Sequence, residues 1–135
     1  MGTVQGLRDL LRGYRQRMIY KVPVTTKKIV RAALQDTAAR SKRRVAGKLT
    51  KFDKMIESAA DAARGDMIMP GFAPEIKNIV TDKIIDSIAN NEPWERMGDT
   101  YCGREMFYNL RLQYIYHVAV RMGIICDTQS TRKRR

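Results

Sequence analysis

Histidine occurs once in this chain of 135 residues, tryptophan once and cysteine twice. Cys102, His117 and Cys126 lack zinc-site spacing and a fourth donor, so no metal is expected. His117 falls on the Tyr114/Val118 side of its helix, where an imidazole belongs to a core or its rim rather than to catalysis. Two distant cysteines without an export signal read as reduced thiols. Apolar runs are short, and none reaches the ~18 residues that a spanning helix needs. Arg8, Arg12, Arg15 and Arg17 interrupt every N-terminal stretch that could form a signal-peptide core. The expectation is a cytoplasmic chain with no membrane partner. Gly47-Lys48-Leu49-Thr50 is not a phosphate loop, since Leu49 stands where Ser or Thr must follow the lysine and Lys42 where a glycine is required. Asp82 with Asp86, and Glu57 with Asp61, share helix faces without any sign of desolvation. Neither enzyme activity nor a cofactor is expected.

Acidic residues are scarce in one half only. The formal charge is +12 and hydrophobic content 44%, so the chain carries enough apolar residues for a globular core. Residues 1–54 contain fifteen Lys and Arg against three Asp and Glu. Residues 55–131 contain seven against eleven, and the chain closes on Arg132, Lys133, Arg134 and Arg135. Like charges at helical spacing repel one another, so the basic half calls for an external polyanion. A phosphate backbone is the usual one. The residues assigned to phosphate are Lys27, Lys28, Arg31, Arg40, Lys42, Arg43, Arg44, Lys48, Lys51, Arg111 and the terminal Arg132, Lys133, Arg134 and Arg135.

Periodicity predicts an all-α fold, a small helical bundle with a C-terminal helix-turn-helix. Val4, Leu7, Leu11, Tyr14 and Met18 mark an amphipathic helix over residues 3–20. Pro23 interrupts it, and a helix restarts at Thr25 or Thr26, either of which has a capping hydroxyl. Apolar stripes at Ile29, Val30, Ala33, Leu34 and Ala38, and at Val45, Leu49, Phe52, Ile56, Ala59 and Ala63, fit one long helix or two with a break near Ser41. The organisation expected is a basic helical region over 1–66, a loop at 67–74, a helix-turn-helix module over 75–126 and a disordered basic tail over 127–135. Pro74 and Pro93 suit first helical positions, Gly98-Asp99-Thr100 a turn, and Gly123 a left-handed helix end.

A helix, a short helix, a turn and a longer helix in that order fit a DNA-reading unit. In the last helix Phe107, Leu110, Tyr114 and Val118 form the inner side. Arg104, Glu105, Tyr108, Asn109, Leu112 and Tyr116 lie on or near the outer one. Arg can bond guanine O6 and N7, and Asn can bond adenine N6 and N7. Base readout is therefore assigned to Arg104, Glu105, Tyr108 and Asn109. Beyond its first turns this helix is apolar almost all round, which suits burial against other helices or a dimer mate.

The run from Glu92-Pro93-Trp94-Glu95-Arg96-Met97 through Tyr101–Tyr116 to Ala119 and Gly123 resembles the C-terminal module of phage and prophage transcription regulators of the RinA/ArpU type. Those are similar in turn to sigma-factor region four. Arg104, Phe107, Tyr108, Arg111, Ala119 and Gly123 carry the resemblance, which covers the C-terminal third. It implies a sequence-specific DNA-binding regulator. A separate reading has the acidic half bind RNA polymerase, and the apolar part of the last helix would suit a homodimer. The alternative is an RNA-binding, ribosome-associated or packaging protein, which the charge fits without base readout.

Overall fold

The computed structural model describes residues 20–126. The helix expected over 3–20 and the basic tail lie outside the described residues, apart from Tyr20. Within them are five α-helices and one 3-10 turn: α1 Val24–Gln35, α2 Thr37–Val45, α3 Lys51–Asp66, α4 Pro74–Asn90, the turn Trp94–Arg96, and α5 Arg104–Arg121. The fold is all-α, with no strand among the described residues.

The first helix starts earlier than its threonines suggest. Pro23 occupies the N-cap position with no side-chain cap, and Thr26 is buried. The break that follows is at Asp36 rather than near Ser41. A helix end leaves carbonyls without intrahelical partners, and two side chains take them over. Thr37 Oγ1 donates to Leu34 O at 2.6 Å, and the Arg40 guanidinium donates to Ala33 O and to Thr37 Oγ1.

A second break, between Val45 and Lys51, turns the chain back. Gly47 adopts φ 70°, and Lys48 N–H donates to Arg43 O at 2.7 Å, the closure that a left-handed residue after a helix permits. Thr50 then opens α3 with a reciprocal capping box, its hydroxyl accepting from Asp53 N while Asp53 accepts from Thr50 N, both at 3.0 Å. This double break corrects the stripe expected at 45–63. Ile56, Ala59 and Ala63 are buried, whereas Val45 and Phe52 at the hairpin tip face solvent.

The C-terminal helices begin and end near their expected punctuation, although Pro93 is the extended N-cap of its turn rather than its first residue. Pro74 sits in the first turn of α4, Asn91 ends that helix at φ 52°, and Gly123 ends α5 at φ 75°. Ile124 N–H then donates to Ala119 O at 2.9 Å, and Ile124 and Ile125 fold back onto the core.

One core holds both halves. Val30 and Leu34 of α1, Ala63 of α3, Val80, Ile84 and Ile88 of α4, and Phe107, Leu110, Tyr114 and Val118 of α5 belong to a single cluster. α5 is central, packing on α1, α3, α4 and the 3-10 turn. A helix that is apolar almost all round has to be covered on most sides, and α1, α3, α4 and the 3-10 turn supply that cover. Tyr116, expected on the outer side of α5, is 2% exposed, with its ring 4.7 Å from that of Tyr20. Gln113, fully buried, ties the interhelical loop to α5. Its Oε1 accepts from Ile68 N at 2.6 Å and its Nε2 donates to Ile68 O at 3.2 Å.

Candidate nucleic-acid interface

Only the first turn of α5 is open to solvent on the side expected to read bases. Gly103 is its N-cap and offers no side chain to the free amides of the first turn. Arg104 and Glu105 are exposed, and Asn109 is half-buried. Arg104 Nε donates to Glu95 Oε1 at 3.0 Å, a bond that holds the Glu95 carboxyl below its ordinary pKa. Both partners are more than half exposed, and such a pair contributes little and exchanges readily.

Tyr108 has a different role from the one expected. Its hydroxyl accepts from Trp94 N at 3.1 Å, so the phenol holds the 3-10 turn rather than reaching outward. Trp94 Nε1 in turn donates to Thr100 Oγ1 at 2.8 Å, and that hydroxyl donates to Cys102 O. These bonds position the turn leading into α5. The Arg104 and Arg111 guanidinium carbons lie 5.1 and 5.4 Å from the Tyr108 ring centroid, within cation–π range.

Beside this ring, α1 and α5 leave an open groove of about 310 Å³. Lys27 and Arg31 line its α1 wall, and Tyr108, Asn109 and Arg111 its α5 wall. Leu112 and the buried Ile115 add apolar surface to its lining. Arg111 Nη1 donates to Ser87 Oγ at 2.9 Å, which fixes the guanidinium at its α4 side. Burial first, and then the nearby Arg31 charge, lower the pKa of Arg111. Arg31 buries its Nε without a hydrogen-bond partner. Among the described residues no carboxylate pairs with Lys27, Arg31 or Arg111. Two guanidiniums and an ammonium thus line a partly desolvated groove that holds no counter-charge among the described residues, an arrangement that an anion relieves.

The other basic residues divide in two. Lys28, Lys42, Lys48 and Lys51 are exposed and carry no ion pair among the described residues. Arg40 must be withdrawn from the phosphate set. It is 5% exposed and its guanidinium closes the α1–α2 break. Arg43 is also committed, donating to Asp53 Oδ1 at 2.6 Å, Asp53 Oδ2 at 2.8 Å and Asp36 Oδ2 at 2.7 Å. Its hydrogen bonds, followed by that from the Thr50 amide, hold Asp53 well below the usual carboxylate range. Arg44 pairs with Glu57. Arg43 and Arg44 are therefore neutralised locally, contrary to the unpaired cluster expected there. Arg132, Lys133, Arg134 and Arg135 lie outside the described residues.

Ser87 was not among the expected site residues, although a serine within the Val80–Ile84–Ile88 stripe marks a polar requirement inside a buried face. Cys102 and Cys126 are free thiols, and burial pushes the Cys102 thiol pKa up. Comparison of the chain with protein-family models, with curated proteins and with solved structures gave no match.

Proposed function

We propose that the protein is a sequence-specific DNA-binding regulator that holds phosphates through α1, Arg111 and the exposed lysines, and reads bases with Arg104 and Asn109 in the first two turns of α5. The observation that carries this reading is the juxtaposition of Lys27, Arg31 and Arg111, which pair with no carboxylate among the described residues, with the exposed Arg104 and the half-buried Asn109. Phosphate contacts supply affinity and register without sequence information, while base-edge donors supply preference. Arg104 can exchange its weak bond to Glu95 for a guanine edge, and Asn109 can pair with adenine. Tyr108 serves by positioning the turn, and the resemblance to RinA/ArpU-type regulators accords with this division.

Selection of bound sequences from a random duplex pool, followed by titration at two salt concentrations, tests the proposal. A defined motif is expected. Arg104→Ala should flatten the preference by about 1–3 kcal/mol at one position. Lys28→Gln should weaken binding to every duplex and reduce the salt slope by about 0.9. Failure to recover any motif, or tighter binding to structured RNA than to duplex DNA, overturns the assignment.

A further inference from the structure

The groove between α1 and α5 has more than backbone neutralisation requires. A phosphate on the outside of a duplex needs surface cations but neither a concavity nor an apolar lining. Here the cations line a space of about 310 Å³ whose lining also includes Leu112 and Ile115, with the Asn109 amide on its wall. That volume lies at the lower end of the roughly 300–1,000 Å³ typical of small-ligand sites.

We propose that this groove binds one unpaired nucleotide, its 5′-phosphate held by Lys27, Arg31 and Arg111 and its base laid against Leu112 and Ile115 beside the Asn109 amide. This rests on the nucleic-acid reading above and narrows it to a defined ligand. A phosphate monoester near neutral pH carries between one and two negative charges and accepts through several oxygens. Arg111 is already oriented by its bond to Ser87, which fixes the guanidinium before a ligand arrives. Arg31 places its guanidinium opposite from α1, its Nε buried and unpaired. An amide beside an apolar surface offers a donor and an acceptor to a base edge. In duplex DNA the Watson–Crick edge is occupied by pairing and the base faces are stacked, so the nucleotide must come from a strand end, a single strand or the free pool. A free nucleotide and a phosphorylated 5′ end present this monoester, and an internal nucleotide of a single strand presents a singly charged diester to the same cations.

The test is calorimetric titration of the full chain with adenosine 5′-monophosphate, adenosine and inorganic phosphate, each as a separate probe. The nucleotide should bind at least tenfold more tightly than either adenosine or phosphate alone. Arg31→Gln should lower its affinity by tenfold or more with the far-ultraviolet circular dichroism unchanged. Leu112→Asp, at a half-buried position, is the second variant and should abolish the advantage of the nucleotide over inorganic phosphate. A 5′-phosphorylated decanucleotide that binds tenfold better than its 5′-hydroxyl counterpart identifies strand ends as the source, and equal binding of the two identifies internal or free nucleotides. Equal affinity for phosphate and nucleotide, or a nucleotide affinity untouched by Arg31→Gln, overturns the proposal. If duplex DNA still binds under those outcomes with its motif intact, the regulator reading stands and only the nucleotide site falls.

Discussion

Replacing Gln113 with methionine removes the contact that fastens the loop between the two halves, together with the weaker 3.3 Å contact between Gln113 Oε1 and His117 Nε2. Methionine has nearly the same volume and adapts to irregular space, so no large cavity forms. Both amide bonds to Ile68 are lost, the one at 2.6 Å from its N–H and the one at 3.2 Å to its carbonyl. A neutral hydrogen bond is worth about 0.5–1.5 kcal/mol net, and a buried backbone group left without a partner costs about 1–3 kcal/mol. The Ile68 side chain faces solvent, so water reaches part of this backbone and the expected loss is about 2–3 kcal/mol, below the sum of the maxima. At roughly 3–5 °C per kcal/mol for a domain of this size, the melting temperature should fall by roughly 6–15 °C. Urea titration followed by far-ultraviolet circular dichroism gives the free energy directly, and the denaturant slope should not change. Tyr114→Phe provides the scale. It removes one bond, the hydroxyl to Ala60 O at 3.0 Å, and should cost about 1 kcal/mol. A Gln113→Met loss no larger than that of Tyr114→Phe refutes the view that the amide clamp secures the loop.

Two further predictions concern the basic half. Arg40→Met should destabilise by about 1–3 kcal/mol, because Ala33 O loses its partner, yet leave the salt dependence of DNA binding unchanged; a slope that falls as it does for Lys28→Gln returns Arg40 to the phosphate set. Asp53→Asn should lower the urea midpoint at pH 7, by an amount that shrinks in acid. The folded-state pKa of Asp53 is depressed, first by Arg43 and then by the Thr50 amide. Its contribution is therefore complete above the ordinary carboxylate pKa of about 3.9 and is lost as pH falls toward the folded value. Midpoints of both proteins between pH 7 and pH 2.5 should converge below about pH 4, and a constant separation refutes the linkage.

Helix identity was legible where local chemistry decides it. Pro74 and Gly123 mark ends that any neighbourhood would respect, and the inner stripe Phe107–Leu110–Tyr114–Val118 follows from period alone. The breaks at Asp36 and Gly47 were not, because each depends on a partner distant along the chain. Arg40 reaches back to Ala33, and Arg43 reaches forward to Asp53. Charge counting treats those arginines as free, and only packing shows them spent. The same limit applies to the candidate site. Arg104 and Asn109 were visible as residues able to contact bases, but the commitment of Tyr108 to Trp94 depends on how the turn folds. The burial of Tyr116 follows from the position of Tyr20, and no periodicity within α5 encodes that.

The two walls of the α1–α5 groove come from opposite ends of the described chain, so the cavity is a product of completed folding. No fragment ending before α5 possesses it, and local opening of either helix erases it. Any ligand seated there binds the native state alone and stabilises the whole domain by RT ln(1 + [L]/Kd), about 2.7 kcal/mol at a hundredfold excess over Kd. Occupancy and foldedness are thereby a single equilibrium in this protein. Its melting temperature becomes a gauge of ligand concentration, and conditions that loosen the domain release what it holds.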